Sequence, residues 1–453
     1  MSKSIKTTNP FNNETISEYE IFDKKKIEEC LQLSIDSFKE WKDTSFEERS
    51  KLLTQASEIL EKSDKYAKII SEEMGKPISE SKAEVKKCAK VCRYYAEKAK
   101  SVLKDRHISE DSFVTYQPLG PILAVMPWNF PFWQAFRFLA PTLSAGNVAL
   151  LKHASNVTGS ALCIEEILLE AGFPKGVFQT LVVPSSEMEE IIKDFRVRGV
   201  SFTGSTEVGR KIGAWAGESL KPSILELGGN DPYIVCEDYD LTKALEVVVD
   251  GRFSNTGQSC IAAKRVFVHE SKKEEAIKIL KNILSDFKHG DPIDDETTLG
   301  TLAKAEFKKD LNDQIDKAKE YGARYEVLLE APKDSYAPFF DCGLLVDMDS
   351  KNPMSDEEIF GPVLSMYTYN NLEEAFKEAN RSHFGLGGAV FSNDMKWAKE
   401  VGVRSIESGS VFINKKVASD PVLPFGGVKN SGYGRELSED TLFEFVNVKS
   451  VSF

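Results

Sequence analysis

The segment ILAVMPWNFPFWQAFRFLAPTLSAGNVALLKHASN, residues 122–156, contains two strand-like runs separated by a helix-like run. Residues 122–126 are continuously apolar, as is typical of a strand buried on both faces, and residues 148–151 repeat this pattern. Between them, residues 132–143 have helical character up to Gly146. The strand–helix–strand order predicts a βαβ unit with parallel strands.

Strand-like and helix-like runs continue to alternate after this unit. In chain order they are 159–171 (helix), 177–183 (strand), 187–193 (helix), 197–202 (strand), 232–235 (strand), a helix from Leu241, 265–268 (strand) and 272–287 (helix). The pattern predicts two α/β units with parallel sheets. Ligands of such sheets bind beyond the carboxyl ends of the strands, so we expect three loops at one edge: PWNFP (127–131), LLKHASN (150–156) and SFTGST (201–206).

The regions that flank this alternation are predicted to be scaffold. The first stretch of the chain is interpreted as irregular, a capping box at Ser45 and Glu48 starts a helix that stops near Gly75, and another helix begins near Ser81. The charged faces of these helices are interpreted as solvated surface. The segments SFVTYQPLG (112–120) and 445–453 alternate like edge strands, which favours an arm that meets a partner subunit.

Composition bounds the class of protein. Lys and Arg total 58 and Asp and Glu total 71 among 453 residues, and the net charge of −13 argues against a general nucleic-acid or anionic-membrane surface. The chain shows no signal-peptide core and no apolar run of the roughly 20 residues that span a bilayer, so a cytoplasmic location is expected. The seven cysteines are expected to be reduced, with Cys88 and Cys92 in a helix core rather than on a metal.

Two loops have sequences suited to chemistry, although neither is decisive alone. SFTGSTEVGRKIG (201–213) lies between a strand and a helix whose N-terminal amides suit a phosphate, but it is not GxGxxG, and an ordinary structural turn stays open. GRFSNTGQSCIAAKR (251–265) places Cys260 in a polar, glycine-containing loop with two cations close behind. A nucleophilic thiolate and an inert small apolar cysteine both fit this pattern.

Five motifs occur together and in order: PWNFP (127–131), LELGGNDP (225–232), FSNTGQSC (253–260), EIFGPV (358–363) and PFGGVKNSGYGRE (424–436). Through them the whole chain resembles the NAD(P)-dependent aldehyde dehydrogenase superfamily, and within it the bacterial succinate semialdehyde dehydrogenases. The resemblance implies an α/β fold with three parts. These are a doubly wound Rossmann-type cofactor domain (1–104 and 123–229), an α/β catalytic domain (230–425) and a small β oligomerisation arm (105–122 and 426–453).

The same resemblance implies a set of catalytic residues. Cys260 matches the nucleophile that forms a thiohemiacetal and then a thioester. Asn129 matches the side-chain amide that holds the oxyanion together with the Cys260 backbone N–H, and Glu226 matches the base that activates the hydrolytic water. Lys152 matches a lysine that contacts the adenosine ribose and supports the surroundings of the oxyanion. No metal is implied.

Further residues match positions that bind the cofactor: Trp128, Lys152, Ser155, Gly204, Ser205, Leu227, Glu358 and Phe360. Ser155 stands where many NAD-preferring relatives have a glutamate, whose charge repels a 2′-phosphate. The serine leaves Lys152 free to pair with that phosphate, so NADP is expected as the preferred cofactor and NAD as a possible one.

Arg137 and Ser419 match the residues that hold the far carboxylate of the substrate in succinate semialdehyde dehydrogenases, although an ion pair between Arg137 and another helix stays open. Two departures change what is expected. Ser254 replaces a second arginine of some relatives, so selection for the carboxylate is expected to be weaker or differently arranged. Ala262 replaces a second cysteine, so no disulfide switch is expected.

The implied activity is the oxidation of succinate semialdehyde to succinate by a homodimer or homotetramer, with no nucleic-acid or membrane partner. Three alternatives stay open: a broader aliphatic aldehyde or another semialdehyde as the substrate, a non-catalytic binding protein on this fold, and a cysteine hydrolase that works without a cofactor.

Overall fold

The computed structural model describes residues 4–333 and 335–453. It begins with a hairpin followed by four helices: β1 (Ser4–Thr8), β2 (Thr15–Glu20), α1 (Lys24–Trp41), α2 (Phe46–Lys62), α3 (Lys65–Met74) and α4 (Ile78–Val102). The hairpin corrects the expectation of an irregular first stretch, of which residues 1–3 lie outside the described part. Nearly all residues of β1 and β2 are partly or fully exposed, so no alternating apolar pattern marks these strands.

The predicted capping box at the start of α2 is confirmed. The side chain of Ser45 accepts a hydrogen bond of 3.1 Å from the backbone N–H of Glu48. A break at residues 63–64 divides the predicted helix into α2 and α3, and α3 ends at Gly75 with a φ of 76°. A Cβ on Gly75 would lie 2.0 Å from Thr301 Oγ1, so only glycine fits this left-handed turn.

The first large sheet is built by residues 121–226, after a two-stranded stretch of β3 (Arg106–Ser109) and β4 (Ser112–Pro118). Its elements are β5 (Pro121–Met126), α5 (Pro131–Ser144), β6 (Val148–His153), α6 (Thr158–Glu170), β7 (Phe178–Thr180), α7 (Met188–Lys193), β8 (Gly199–Thr203), α8 (Thr206–Glu218) and β9 (Ser223–Glu226). The strands run in the order β9-β8-β5-β6-β7, and all neighbours are parallel. The direction of winding therefore changes between β5 and β8, and ligands bind at such a switch point.

The second large sheet follows at residue 232. Its elements are β10 (Pro232–Val235), α9 (Leu241–Phe253), β11 (Arg265–His269), α10 (Lys273–Leu284), α11 (Glu306–Glu320), β12 (Arg324–Leu329), β13 (Cys342–Val346), β14 (Val363–Tyr369), α12 (Leu372–Asn380), β15 (Phe384–Gly385), β16 (Gly387–Phe391), α13 (Met395–Trp397) and β17 (Ser410–Ile413). The sheet order is β12-β13-β14-β11-β10-β16-β17, and β12 is its antiparallel strand. The short strand β15 lies outside this sheet and pairs with a strand of the C-terminal segment.

The C-terminal segment contains β18 (Val428–Lys429), β19 (Gly432–Tyr433) and β20 (Val446–Ser452). Strand β20 pairs with β4 in an antiparallel three-stranded sheet with β3, so the two segments predicted as edge strands lie side by side. Strand β19 extends the first large sheet beside β9, so this segment also contacts the region that follows Glu226.

Apolar side chains pack on both faces of both large sheets. Cys88 and Cys92 are fully buried in α4, which confirms their assignment to a core, and all seven cysteines are free thiols. Among the residues that the structure describes, no helix has both the length and the apolar character needed to cross a bilayer.

Candidate active site

Cys260 lies in the loop that joins α9 to β11. Residues 255–257 of this loop all have positive φ angles, of 53°, 52° and 73°, so the chain turns sharply just before the cysteine. Two buried amide side chains hold the turn. Asn255 Nδ2 donates to the backbone oxygen of Asn129 over 2.9 Å, and Gln258 Oε1 accepts a backbone N–H from the segment before α11. The loop is thereby attached to the carboxyl end of β5.

Cys260 borders two cavities. One has a volume of about 260 Å³, lies at the carboxyl ends of β5, β8 and β9, and is lined by six of the predicted cofactor residues: Trp128, Gly204, Ser205, Leu227, Glu358 and Phe360. The other has a volume of about 500 Å³, lies between α4, α5 and the segment after β17, and is lined by Arg137 and Ser419 among others. The thiol therefore lies where the predicted cofactor residues meet the predicted substrate residues.

The surroundings of Cys260 favour its neutral form in the resting protein. Burial raises the pKa of the thiol to about 12, against the opposing effect of Lys264 and Arg137. Lys264 contacts this loop from within the protein: its Nζ donates to the backbone oxygens of Ser259 (2.9 Å) and Cys260 (2.6 Å). The same Nζ forms an ion pair with Glu358 at 2.8 Å. This lysine connects the Cys260 loop to Glu358 in the wall of the smaller cavity.

Asn129 follows β5 directly and is held at both ends of its carboxamide. Its Nδ2 donates to the backbone oxygen of Gln258 over 2.9 Å, and its Oδ1 accepts from Gln134 Nε2 over 3.0 Å. The nitrogen is thus fixed towards the Cys260 loop. Because a primary amide has two N–H groups, one remains for a ligand beside Cys260.

Glu226 ends β9 and has only 2% of its surface exposed. Neither carboxylate oxygen has a hydrogen-bond partner among the described residues, and the side chain is absent from the described lining of both cavities. Burial, followed by the nearby charge of Glu436, raises the pKa of Glu226 to about 8, with Arg137 and Arg435 opposing the shift. A buried carboxyl with a pKa near neutrality is suited to proton transfer.

Arg137 on α5 is also buried and has a protein partner. It forms an ion pair with Glu436, and Nη2 donates to Thr203 Oγ1 over 3.2 Å. Its guanidinium also lies over the ring of Phe425 at 4.7 Å. Arg137 therefore lines the larger cavity with a charge that is already balanced by a carboxylate.

The smaller cavity is shaped by aromatic rings and glycines. The Trp128 ring stacks on Phe307 at 5.1 Å and meets Phe360 edge-on at 5.8 Å. A Cβ on Gly228 would lie 2.4 Å from Glu358 Oε2, so the glycine keeps this carboxylate beside the cavity. Ser205 caps α8, with its side chain accepting the backbone N–H of Val208, and also lines this cavity, so the N-terminus of α8 lies beside it.

Lys152 and Ser155 lie farther along the same sheet edge, at the end of β6. Lys152 is 6% exposed, and its Nζ donates to Ser185 Oγ over 3.1 Å. Within the described residues it has no acidic partner, and burial lowers the pKa of its ammonium group. Ser155 follows three residues later and is exposed. Neither residue is in the described lining of the smaller cavity, but both lie at the carboxyl end of β6, which pairs in parallel with β5.

Ser419 lies in the larger cavity and accepts two hydrogen bonds. One comes from Trp133 Nε1 at 3.0 Å and the other from Lys87 Nζ at 2.7 Å. Lys87 reaches this position from α4 and lies over the Trp133 ring at 4.0 Å. This contact corrects the interpretation of the α4 charges as solvated surface, because Lys87 is half-buried and lines the cavity.

The sequence profile of the aldehyde dehydrogenase family matches residues 1–451. The chain belongs to the aldehyde dehydrogenase family. A probable succinate-semialdehyde dehydrogenase [NADP(+)] of Synechocystis is 43% identical over 99% of both chains, and succinate-semialdehyde dehydrogenase [NADP(+)] 1 of Mycobacterium ulcerans is 40% identical over 99% of both. The crystal structure of a succinic semialdehyde dehydrogenase from Streptococcus pyogenes with NADP+ has a TM-score of 0.95 at 38% identity, again over 99% of both chains. The predicted aldehyde dehydrogenase fold is confirmed.

Several residues around Cys260 and the two cavities were not singled out from the sequence: Lys87, Gln134, Ser185, Phe307 and Glu436. Most of them lie outside the five motifs or act through a side chain whose direction the sequence does not fix. Glu436 is the exception, because it ends the motif PFGGVKNSGYGRE, which was used only for the resemblance to the family. The sequence could have pointed to Gln134, because it is an amide in a strongly apolar helical run, and a buried amide needs hydrogen-bond partners.

Proposed function

We propose that this aldehyde dehydrogenase oxidises succinate semialdehyde to succinate with NADP as the preferred hydride acceptor. The observation that carries the proposal is that Cys260 borders both cavities, so an aldehyde in the larger one and a cofactor in the smaller one meet at the thiol. The names of the relatives from Synechocystis and Mycobacterium ulcerans support both the substrate and the cofactor.

The residues of the smaller cavity fit a dinucleotide phosphate. The α8 N-terminus at Ser205 offers amides to the pyrophosphate, and Glu358 is placed to accept from ribose hydroxyls. Lys152 is a buried ammonium without a carboxylate partner among the described residues, which is the environment that a 2′-phosphate would complete. Since Ser155 adds no negative charge there, the proposal includes a preference for NADP over NAD.

In the proposed reaction the Cys260 thiol gives up its proton to solvent water, and the thiolate adds to the aldehyde carbon. The resulting oxyanion is stabilised by the remaining N–H of Asn129 and by the backbone N–H of Cys260. When bound, NADP supplies the nicotinamide ring that accepts the hydride lost from the thiohemiacetal carbon, which leaves a thioester on the cysteine. The Asn129 amide is held ready for this role by Gln134 and Gln258.

Hydrolysis of the thioester needs a base, which we assign to Glu226. Its pKa of about 8 leaves a part of the carboxyl ionised near neutral pH, and that part takes a proton from the attacking water. The far carboxylate of the substrate is assigned to the end of the larger cavity that contains Arg137 and Ser419.

The proposal extends to the assembly and its location. The first sheet with the preceding helices forms the cofactor domain, the second sheet forms the catalytic domain, and β3, β4 and β20 form an arm that builds a homodimer or homotetramer. Ile108, Val448 and Phe453 are exposed apolar side chains on or beside this arm, which supports a partner there. Seven free cysteines support a reducing, cytoplasmic location. Light scattering after gel filtration tests the assembly.

The activity is tested with succinate semialdehyde and with butyraldehyde, by the formation of NADPH when NADP is added and of NADH when NAD is added. The expected result is faster turnover of the semialdehyde with NADP and no turnover for Cys260→Ala. Equal turnover of both aldehydes would replace the proposal by a general aliphatic aldehyde dehydrogenase, which the apolar lining of Trp133, Ile261 and Phe425 would suit. If the protein hydrolysed or only bound its ligand, without forming NADPH, the proposed dehydrogenase activity would be wrong.

A further inference from the structure

The charges that line the larger cavity differ in whether they have partners. Arg137 pairs with Glu436, and Lys416 pairs with Asp250 at 2.7 Å. Lys87 has no ion-pair partner among the described residues, and its Nζ contacts only a hydroxyl and an aromatic ring. The cavity therefore has one cation whose charge is left for a ligand.

The acidic groups of the cavity wall do not neutralise this lysine. Glu84, one turn before Lys87 on α4, pairs with Lys76 and accepts the backbone N–H groups of residues 132 and 133. Glu80 accepts the backbone N–H of Asn255 and faces Lys76 and Lys416. Each carboxylate thus has its own donors elsewhere.

Ser419 completes the arrangement. A serine hydroxyl has two lone pairs and one hydrogen, and here the oxygen already accepts from Lys87 and from Trp133. Within the described residues the structure gives the hydroxyl hydrogen no acceptor, while the residue lines the cavity. Its remaining capacity is therefore that of a donor, beside an ammonium that also has free N–H groups.

We infer that Lys87 is a further carboxylate-binding residue of this enzyme, beside the Ser419 hydroxyl and Arg137, and that its charge sets the preference for an aldehyde with a distant negative charge. The inference rests on the proposed function, which supplies the substrate class. Arg137 contributes to the same end of the cavity, but its charge is shared with Glu436. Lys87 adds the net positive charge that binding an anion requires.

The protonation of Lys87 is consistent with this role. Burial, then Arg137 from α5, lower the pKa of its ammonium to about 8, while Cys88 and Glu84 on α4 and Asp420 beside Ser419 oppose the shift. At neutral pH most of the group is charged. A carboxylate beside it would favour the charged form further.

The test compares wild type, Lys87→Met, Lys87→Arg and the control Lys86→Met, which changes the neighbouring exposed lysine of α4. Each protein is assayed with succinate semialdehyde and with butyraldehyde, its uncharged equivalent of the same chain length. We expect Lys87→Met to raise KM for the semialdehyde by roughly 10- to 100-fold with kcat little changed. Butyraldehyde turnover should change less than about twofold, and Lys87→Arg should recover most of the lost affinity.

A second readout separates this inference from the proposed substrate. Succinate is titrated as an inhibitor of butyraldehyde oxidation, which reports the carboxylate site without the semialdehyde. If wild type shows no preference for the semialdehyde but succinate inhibition weakens in Lys87→Met, Lys87 is confirmed as a carboxylate-binding residue and the proposed substrate is wrong. The role of Lys87 in carboxylate binding is overturned if Lys87→Met keeps both the preference for the semialdehyde and the inhibition by succinate. It is also overturned if both aldehydes lose turnover equally in Lys87→Met and Lys87→Arg restores neither. In both cases the substrate assignment is judged on wild type alone.

Discussion

Gln134 donates a hydrogen bond of 3.0 Å to the carboxamide oxygen of Asn129 and so decides which way that amide faces. With the oxygen occupied, the nitrogen points to the Cys260 loop, where Nδ2 already meets the backbone oxygen of Gln258. An oxyanion needs donors, so a reversed amide would present the wrong atom. Gln134 is therefore a positioning residue that acts through Asn129.

Gln134→Glu is expected to lower kcat more than Gln134→Met, because a carboxylate repels the Asn129 oxygen and favours the reversed amide. We expect Asn129→Ala to lower kcat by roughly 10²- to 10³-fold, as for loss of one oxyanion donor. Adding Gln134→Met to Asn129→Ala should then have little further effect, since both act on one interaction. Steady-state kinetics with both aldehydes measure this. Additive losses would show that Gln134 acts elsewhere.

Glu226→Gln is expected to separate the two halves of the reaction. The amide keeps the size of the side chain but cannot take a proton from water, so the thioester should form and then persist. Mixing the variant with NADP and aldehyde should give one burst of NADPH close to the enzyme concentration, followed by turnover reduced by roughly 10²-fold or more. Loss of the burst as well would show that Glu226 is needed before hydride transfer.

The pH dependence of hydrolysis should follow the same carboxyl. Because the pKa of Glu226 is raised to about 8, the group is mostly protonated below that pH and becomes an active base as the pH rises through it. Glu436→Gln removes a neighbouring negative charge and should move this rise to lower pH. Glu439→Gln, an exposed substitution in the same segment, should leave it unchanged. Decay of the thioester against pH is the measurement, and an unshifted profile in Glu436→Gln would contradict the assigned coupling.

Cofactor preference is expected to depend on the charge at residue 155. Ser155→Glu places a carboxylate beside Lys152, which would occupy the ammonium and repel a 2′-phosphate. The ratio of kcat/KM for NADP over NAD should fall by roughly 10-fold or more, whereas Ser155→Gln, of equal size and no charge, should change it little. If Ser155→Glu and Ser155→Gln gave the same ratio of kcat/KM for NADP over NAD, any change would be due to the size of the side chain and not to its charge.

The sequence predicted the parts of the fold whose apolar patterns are strong. Residues 232–235 form β10 as expected, and the loops after β5 and β8 meet at one edge because parallel strands end there together. The β1–β2 hairpin was missed, because both strands are polar and exposed. A strand was predicted over residues 177–183, but only 178–180 form one. An apolar run does not determine where the backbone hydrogen bonds between neighbouring strands end.

The motifs point to candidate catalytic residues, whose roles stay predictions, but not to the neighbours that contact them. Cys260, Asn129 and Glu226 were identified through local motifs, but the neighbours that set their protonation and orientation come from distant segments. Lys87 fell under the general interpretation of the charged helix faces as solvated surface, and only its contact with Ser419 in the folded protein shows otherwise. Likewise no sequence pattern identifies Glu436 as the ion-pair partner of Arg137, because only the folded chain brings the two residues together.

The Arg137–Glu436 pair is expected to matter for stability as well as for chemistry. Both side chains are about 98% buried, so removing the guanidinium leaves Glu436 and Glu226 without the charge that opposes their mutual repulsion. We expect Arg137→Met to lower the free energy of unfolding by about 3–5 kcal/mol. Lys87→Met, which leaves no carboxylate unpaired, should lower it by less than about 1 kcal/mol. The double variant Arg137→Met with Glu436→Gln should lose less than the sum of its parts, because the second change removes the stranded charge. Urea unfolding of wild type, Arg137→Met, Glu436→Gln, Lys87→Met and the double variant measures this, and strict additivity would mean that the two residues do not stabilise each other.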